Sequence, residues 1–167
     1  MGAGSQDAPH VRLEPVTEAA FRWMLGRGEA VDELQLPQGG VDEPETIEHV
    51  RRLAERQGYA GSWMIVAGSE VVGLCGYHGP PVAGVVEIGY NVAPARRNRG
   101  FATHGVAAIV RCAEEDDAIH TIVAETLAGN IASQRALERN AFVRVSERPT
   151  AGEPVIRWSR NVLRKTA

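Results

Sequence analysis

The chain has 167 residues, 44% of them hydrophobic, which is enough to bury the core of one domain. Its net charge of −3 gives no support for nucleic-acid binding, and no apolar run approaches the ~20 residues of a membrane span. The first residues lack the apolar stretch of a signal peptide, so we expect a cytoplasmic protein that binds neither nucleic acid nor membrane. Residues 1–10 are predicted to form a disordered tail before a single domain over 11–167.

The first half of this domain is predicted to contain two helices and four strands. Alternating residues predict a strand over 11–16, and Thr17 is placed to cap a first helix that stops near Gly26. An irregular acidic segment follows, and a second helix begins at Pro44 and ends at Gly58. Three further strands are predicted over 63–67, 71–77 and 85–92.

The second half continues with alternating helices and strands. A helix is predicted over 102–115, because apolar residues recur there at helical spacing: Val106, Ile109, Val110 and Ala113. The remaining elements are a strand over 119–125, a helix over 130–140 and strands over 142–147 and 155–162. The order β-α-α-β-β-β-α-β-α-β-β contains no repeat and no linker, so it predicts one mixed α/β domain.

The turn between strand 85–92 and the next helix carries three arginines, Arg96, Arg97 and Arg99, followed by Gly100. The first N–H groups of a helix have no intrahelical acceptor, and the helix dipole favours negative charge there. Gly100 would let the backbone approach a ligand closely. The turn therefore has the outline of a phosphate cradle, although a solvated turn is the alternative that these residues alone leave open.

The wider sequence around this turn resembles a known family. The spacing Val92-x-Pro94-x-x-Arg97-x-x-Gly100-x-Ala102 is similar to the coenzyme A pyrophosphate loop of the GNAT superfamily of N-acetyltransferases. Downstream, the helix start Asn130-Ile131-Ala132-Ser133 and the strand start Ala141-Phe142-Val143 resemble the RimJ/RimL-like branch, which includes ribosomal-protein N-terminal acetyltransferases. The resemblance covers roughly residues 11–162 and implies a central mixed, mostly antiparallel sheet flanked by helices.

The resemblance also implies a reaction and its cofactor residues. Acetyl-coenzyme A, as co-substrate, would donate an acetyl group directly to a primary amine, either a protein N-terminal amine or a small cationic amine. The Val92 N–H would polarise the thioester, and Asn130 would bind the pantetheine arm unless it serves only as a helix cap. The implied cofactor residues are Val92, Arg97, Asn98, Arg99, Gly100, Phe101, Ala102, Thr103 and Asn130. A non-catalytic acyl-coenzyme A-binding module, acting as a sensor or interaction domain, is the alternative.

Two side chains are candidates for proton transfer. Glu87 lies among apolar residues in a predicted central strand, where a carboxylate should be paired or functional. It could take the proton of the amine directly or through water. The alternatives are a structural salt bridge and a glutamate that faces solvent beside a helix edge. By resemblance, Ser133 would protonate the leaving thiolate. Many relatives use a tyrosine as the general acid, but Leu137 occupies that position in this chain. A buried serine bonded to the preceding turn is the alternative for Ser133.

Other residues bear on metals, acceptor charge and assembly. No metal site is predicted, because Cys75 and Cys112 share no ligand spacing with the histidines, and both read as reduced packing residues. Residues 28–45 carry six carboxylates and no basic residue, which would attract a cationic acceptor or else form a solvated loop. The number of copies in the assembly is open, with a homodimer as one possibility.

Overall fold

The computed structural model describes residues 9–164, so only Pro9 and His10 of the predicted tail fall within the described residues. Four helices are present: α1 (Glu18–Met24), α2 (Pro44–Arg56), α3 (Phe101–Glu115) and α4 (Ile131–Arg139). The strands are β1 (Arg12–Pro15), β2 (Ser62–Ala67), β3 (Glu70–Tyr77), β4 (Val85–Val92), β5 (Thr121–Leu127), β6 (Val143–Arg148) and β7 (Val155–Asn161). None of the described helices has the length and apolar character needed to cross a membrane.

All seven strands form one sheet in the order β1-β2-β3-β4-β5-β7-β6. Every neighbouring pair is antiparallel except β4 and β5, which α3 connects in parallel. The predicted element order and the mixed, mostly antiparallel sheet are therefore confirmed. The last two strands do not follow the order of the chain, because β7 folds back from β6 and pairs with β5. This leaves β6 as an exposed strand at the edge of the sheet.

The sheet is buried on both faces, because successive side chains of a strand point to opposite sides. On one face, Ile65, Ile109 and Leu137 belong to a core that α3 and α4 cover. On the other face, Phe21 and Met64 belong to a core that α1 and α2 cover. The result is two helical layers around a central sheet.

Both cysteines are free thiols within the folded domain. Cys75 is buried in the first core, and this burial raises the pKa of its thiol. Cys112 is partly buried on α3, and desolvation raises the pKa of its thiol as well. A thiol that stays protonated is a poor nucleophile. Neither cysteine is therefore a good candidate for a covalent acetyl intermediate, in line with the direct transfer expected from the sequence.

Candidate active site

The sheet opens between β4 and β5, and most of the predicted site residues converge on this opening. The parallel pairing of the two strands ends at Ile88 and Ala124. On its other side, β4 stays paired with β3 as far as Val92. Beyond Ile88, the free edge of β4 therefore faces a cleft between the start of α3 and α4.

The backbone hydrogen bonds show which groups of β4 face this cleft. The backbone carbonyl of Glu87 accepts a hydrogen bond from the N–H of His78, the residue that follows β3 (2.8 Å). The N–H of Ala93 donates to Val72 O (2.8 Å). Along a β-strand, the backbone N–H and C=O groups of successive residues point alternately to the two neighbouring strands. Because residues 87 and 93 bond to β3, the odd-numbered residues of β4 face β3 and the even-numbered residues face the other side. The backbone N–H and C=O groups of Tyr90 and Val92 therefore point into the cleft.

The loop after β4 places the start of α3 at the same cleft. Asn98 and Gly100 have left-handed backbone angles, φ 61° and φ 82°, and Gly100 is the N-cap residue of α3. No side chain caps this helix, and its first turn carries no acidic residue. The N–H groups of residues 101–103 consequently have no helical acceptor and form a site for an anion.

A cavity of about 700 Å³ fills the cleft, within the size range of ligand pockets. Arg99 is exposed and lies outside the lining of this cavity, and Glu87 lies outside it too. Arg135 and Arg139 of α4 line the cavity although they were not predicted as site residues; their spacing of four residues is the signal that they share a helix face. The predicted residues that line it are Val92, Arg97, Asn98, Gly100, Phe101, Ala102, Thr103, Asn130 and Ser133.

The arginines that border this cavity differ in their availability to a ligand. Arg96 forms a bidentate pair with Glu70 (2.5 and 2.9 Å), which anchors the loop to β3. Arg97 donates through Nε to a backbone carbonyl of β4 (3.3 Å), and its side chain remains exposed. Over residues 9–164, Arg135 and Arg139 take part in no ion pair. Their charges are therefore free to meet phosphate groups.

Ser133 meets Tyr90 across the cavity. The hydroxyl of Tyr90 donates to the carbonyl of Ser133 (3.1 Å) and lies 2.7 Å from Ser133 Oγ. Burial raises the pKa of Tyr90 to about 12, although the hydrogen bond from Ser133 opposes this effect. Asn130 Oδ1 accepts a bond from Ser133 N (3.1 Å), so Asn130 does cap α4, and its amide nitrogen remains available to a ligand.

A second cavity of about 220 Å³ lies between α2 and strands β3 and β4. Its walls are mostly apolar and include Val50, Leu53 and Leu74, and the polar lining residues include His49 of α2 and His78, which follows β3. Tyr90 and Asn91 line both cavities. The two cavities therefore share a wall at the end of β4.

The side chain of Asn91 forms three hydrogen bonds at this shared wall. Its Oδ1 accepts a bond from Leu74 N (3.0 Å), and its Nδ2 donates to Asp42 Oδ2 (2.7 Å) and to Val41 O (3.3 Å). Asp42 is one of the six carboxylates of the acidic segment, so that segment contacts the site through Val41 and Asp42. Reading the sequence did not predict this contact, because it depends on where the irregular segment crosses β4.

Glu87 has a partner and is partly open to solvent. Its side chain is 34% exposed, and its Oε1 lies 3.2 Å from Nδ1 of His78. The salt bridge considered as one alternative for Glu87 is therefore present when His78 is protonated. Glu87 lines neither cavity among the described residues, whereas His78 lines the second.

Comparison with known sequences agrees with this arrangement. Residues 10–143 match the family model described as an acetyltransferase (GNAT) domain. A protein of Bacillus subtilis (strain 168) named as the uncharacterized N-acetyltransferase YjdG is 30% identical over 105 residues. That match covers 59% of this chain and 62% of the relative, so it spans less than two thirds of the relative's length.

Solved structures share the fold at low sequence identity. The complex of RimL, a ribosomal L7/L12 alpha-N-protein acetyltransferase, with coenzyme A aligns with a TM-score of 0.69 at 18% identity, covering 91% of this chain and 94% of that one. The aminoglycoside acetyltransferase AAC(6')-Ib with coenzyme A aligns at 0.68 and 16% identity, covering 91% and 95%. The family model extends over most of the chain and these alignments over nearly all of it, and the protein belongs to the GNAT acetyltransferase family.

Proposed function

We propose that this protein transfers an acetyl group from acetyl-coenzyme A to a primary amine. The observation that carries the proposal is that a large, arginine-bordered cavity and a small, mostly apolar one share a wall formed by Tyr90 and Asn91. The first suits a coenzyme A thioester, and the second suits an acceptor that approaches the thioester from the α2 side. A module that only binds acyl-coenzyme A has no use for the second cavity, so the catalytic reading is favoured.

The larger cavity supplies the groups that a coenzyme A thioester requires. The N–H groups of residues 101–103 would hold the pyrophosphate, with Arg97 beside them. The free amide nitrogen of Asn130 would bind the pantetheine arm. The N–H of Val92 would polarise the thioester carbonyl, and Tyr90 N–H is a second donor on the same strand edge. Arg99, which lies outside the cavity lining, would contribute only longer-range positive charge.

Ser133 and Tyr90 would stabilise the leaving thiolate with hydrogen bonds. A thiol has an ordinary pKa near 8.5, so complete proton transfer from a phenol of pKa about 12 is uphill by roughly 5 kcal/mol. A hydrogen bond to the developing charge needs no such transfer and contributes about 1.5–3 kcal/mol. We therefore infer that the acid role implied for Ser133 is one of charge stabilisation, shared with Tyr90.

Replacing Ser133 with alanine is expected to lower kcat about 10-fold, because one donor to the thiolate is lost. Affinity for acetyl-coenzyme A should change little, since the backbone N–H at position 133 can still donate to Asn130. Thiol-release assays and calorimetry would measure the two quantities. The Tyr90→Phe variant should lose a similar amount, and the double variant less than the sum of both. An unchanged kcat, or binding weakened 100-fold in Ser133→Ala, would contradict this role.

The acceptor that we propose is a protein N-terminal amine, as the RimJ/RimL-like resemblance implies, or a small cationic amine. The second cavity, at about 220 Å³, has room for one small group rather than a large folded surface. A panel of N-terminal peptides, polyamines and aminoglycosides, assayed for coenzyme A release, tests the proposal directly. We expect saturable turnover with at least one of these classes. Tight binding of acetyl-coenzyme A without turnover of any amine would instead support the non-catalytic module.

A cationic acceptor should make the reaction sensitive to salt. Glu43 and Glu45 are exposed at the start of α2, one turn before His49 of the second cavity. Between about 0.05 and 0.5 M NaCl we expect kcat/KM to fall several-fold with the best cationic substrate, because screening weakens attraction by exposed charges. Glu43→Gln should reduce the slope, whereas Glu115→Gln, at the far end of α3 and outside both cavities, should not. A flat salt profile would leave segment 28–45 as a solvated loop.

A further inference from the structure

A histidine beside the second cavity has the geometry of a proton acceptor. His78 follows β3 and lines this cavity, whereas Glu87, its ion-pair partner on β4, does not. We propose that His78 removes the proton from the acceptor ammonium and that Glu87 is a positioning residue that orients the imidazole. This inference rests on the proposed function, because it concerns the proton step of the same transfer.

The pair orients the imidazole through one ring nitrogen. The carboxylate of Glu87 accepts a hydrogen bond from Nδ1–H of His78 across 3.2 Å, so the lone pair of the neutral ring lies on Nε2. The backbone N–H of His78 also donates to Glu87 O (2.8 Å), so the strand register keeps the two residues adjacent. Both side chains are partly exposed, 46% for His78 and 34% for Glu87, which leaves the ring accessible to a substrate.

Gly89 leaves the space that the ring of His78 occupies. A Cβ atom added to Gly89 would lie 2.3 Å from His78 Nε2, which is far closer than non-bonded atoms approach. The imidazole therefore lies over β4 at this residue. Gly89 lines the second cavity, and Tyr90 and Asn91, which line both cavities, follow it directly. The ring therefore borders the second cavity close to the wall that the two cavities share.

The other titratable groups of this cavity leave few rivals for the role. Burial raises the pKa values of the Tyr77 phenol and the Cys75 thiol, and that of Tyr90 to about 12, so these three groups stay neutral near pH 7. His49 reaches the cavity from α2, and within residues 9–164 no carboxylate forms an ion pair with it. Among the titratable side chains that line this cavity, the two histidines are thus the remaining candidates for the proton acceptor.

The proposed step moves two protons off the amine nitrogen. Nε2 of His78 takes the first from R–NH₃⁺, and the freed lone pair attacks the thioester carbonyl carbon. The C–S bond then breaks while the new C–N bond remains, and the second proton passes from nitrogen to the thiolate. The products are the amide and the free thiol, and the imidazolium returns its proton to water.

Three substitutions measured over a pH series test this assignment. His78→Gln should lower kcat about 10²-fold and remove the acidic limb of the pH profile. Glu87→Gln should cost about 10-fold and keep the limb, because the imidazole remains the proton acceptor but is less well oriented. Gly89→Ala should resemble His78→Gln, since its methyl group displaces the ring without removing a titratable group.

Two further histidine variants serve as comparisons. His49→Gln should alter KM but keep the acidic limb, because its ring is not the proton acceptor. His120→Gln, outside both cavities, should match the parent enzyme in rate and profile. Thermal unfolding midpoints would verify that every variant is folded. Loss of the acidic limb in Glu87→Gln together with its retention in His78→Gln would overturn the proposal and make Glu87 the base.

A readout that needs no acceptor comes from the nitrogen spectrum of ¹⁵N-labelled protein. We expect His78 to carry its proton on Nδ1 near neutral pH, and this preference to weaken in Glu87→Gln. A neutral imidazole that carries its proton on Nε2 instead of Nδ1 in the parent protein would overturn the proposal whatever the enzyme acetylates. Failure of every amine to react would contradict the proposed function instead, so the two failures are distinguishable.

Discussion

Replacing Gly100 with valine is expected to weaken acetyl-coenzyme A binding about 10²-fold or more while the domain still folds. Gly100 has φ 82°, a left-handed conformation that costs a β-branched residue more than the roughly 1–2 kcal/mol typical of L-residues. Relief of that strain would rotate the N-cap of α3 and misdirect the N–H groups of residues 101–103. Losing two charge-assisted hydrogen bonds, at about 1.5–3 kcal/mol each, accounts for the expected loss.

Gly26→Val is the matched control for backbone strain. Gly26 has φ 70°, its added Cβ would meet nothing within 4 Å, and it lies outside both cavities. We expect a comparable loss of unfolding free energy in both valine variants, but weakened binding only at position 100. Calorimetric titration with acetyl-coenzyme A, alongside urea unfolding, measures both. Equal affinity in a folded Gly100→Val variant would show that this loop does not hold the pyrophosphate.

The phosphate cradle could be predicted because its signals are local. A strand, a turn with Gly100 and an amphipathic helix follow one another directly, and their order alone places helix N–H groups beside the arginines. The structure adds a 3₁₀ turn at Pro94–Arg96 and the left-handed Asn98 between Arg97 and Gly100. The same loop is anchored by the bond between Arg96 and Glu70, a contact between distant parts of the chain that local sequence does not reveal.

Tyr90 could be placed on the correct face but not recognised as a site residue. Strand alternation places Tyr90 on the same face as Ile88, and both residues pack against the same core. Its role changes because β5 leaves β4 after Ile88, which turns the next core-facing position into a cavity wall. The need of a buried phenol for a hydrogen-bond partner was the available signal, and Ser133 is that partner.

The pairing of His78 with Glu87 depends on strand register, which the sequence does not specify. These residues are nine apart and face each other because the connection between β3 and β4 returns through a turn at Ala83 and Gly84, both with positive φ. A shift of one residue would place Glu87 on the opposite face of the sheet. The order of the last strands is similar, since nothing local to β7 indicates that it inserts between β5 and β6.

The Gly73→Ala substitution is expected to destabilise the protein by about 3 kcal/mol and to impair the site with it. Gly73 lies on β3 opposite Val92, and an added Cβ would lie 2.2 Å from the backbone oxygen of Asn91. The backbone at Asn91 cannot move aside as a flexible side chain does. β3 and β4 must therefore separate at Asn91, one of the residues that line both cavities. The thermal midpoint should fall by roughly 10 °C for a domain of this size.

The same substitution links stability to function, because the close approach of β3 to β4 fixes the position of the free strand edge. Separation at Asn91 would tilt the N–H groups of Tyr90 and Val92, so acetyl-coenzyme A affinity should fall about 10-fold even in the folded fraction. Gly79→Ala is the control, since its Cβ would meet nothing within 4 Å and its φ is not positive. Urea unfolding should show little change there. If Gly73→Ala unfolds at the same urea concentration as the parent protein, the two strands can accommodate the added methyl group. Their close contact would then not set the geometry of the cleft.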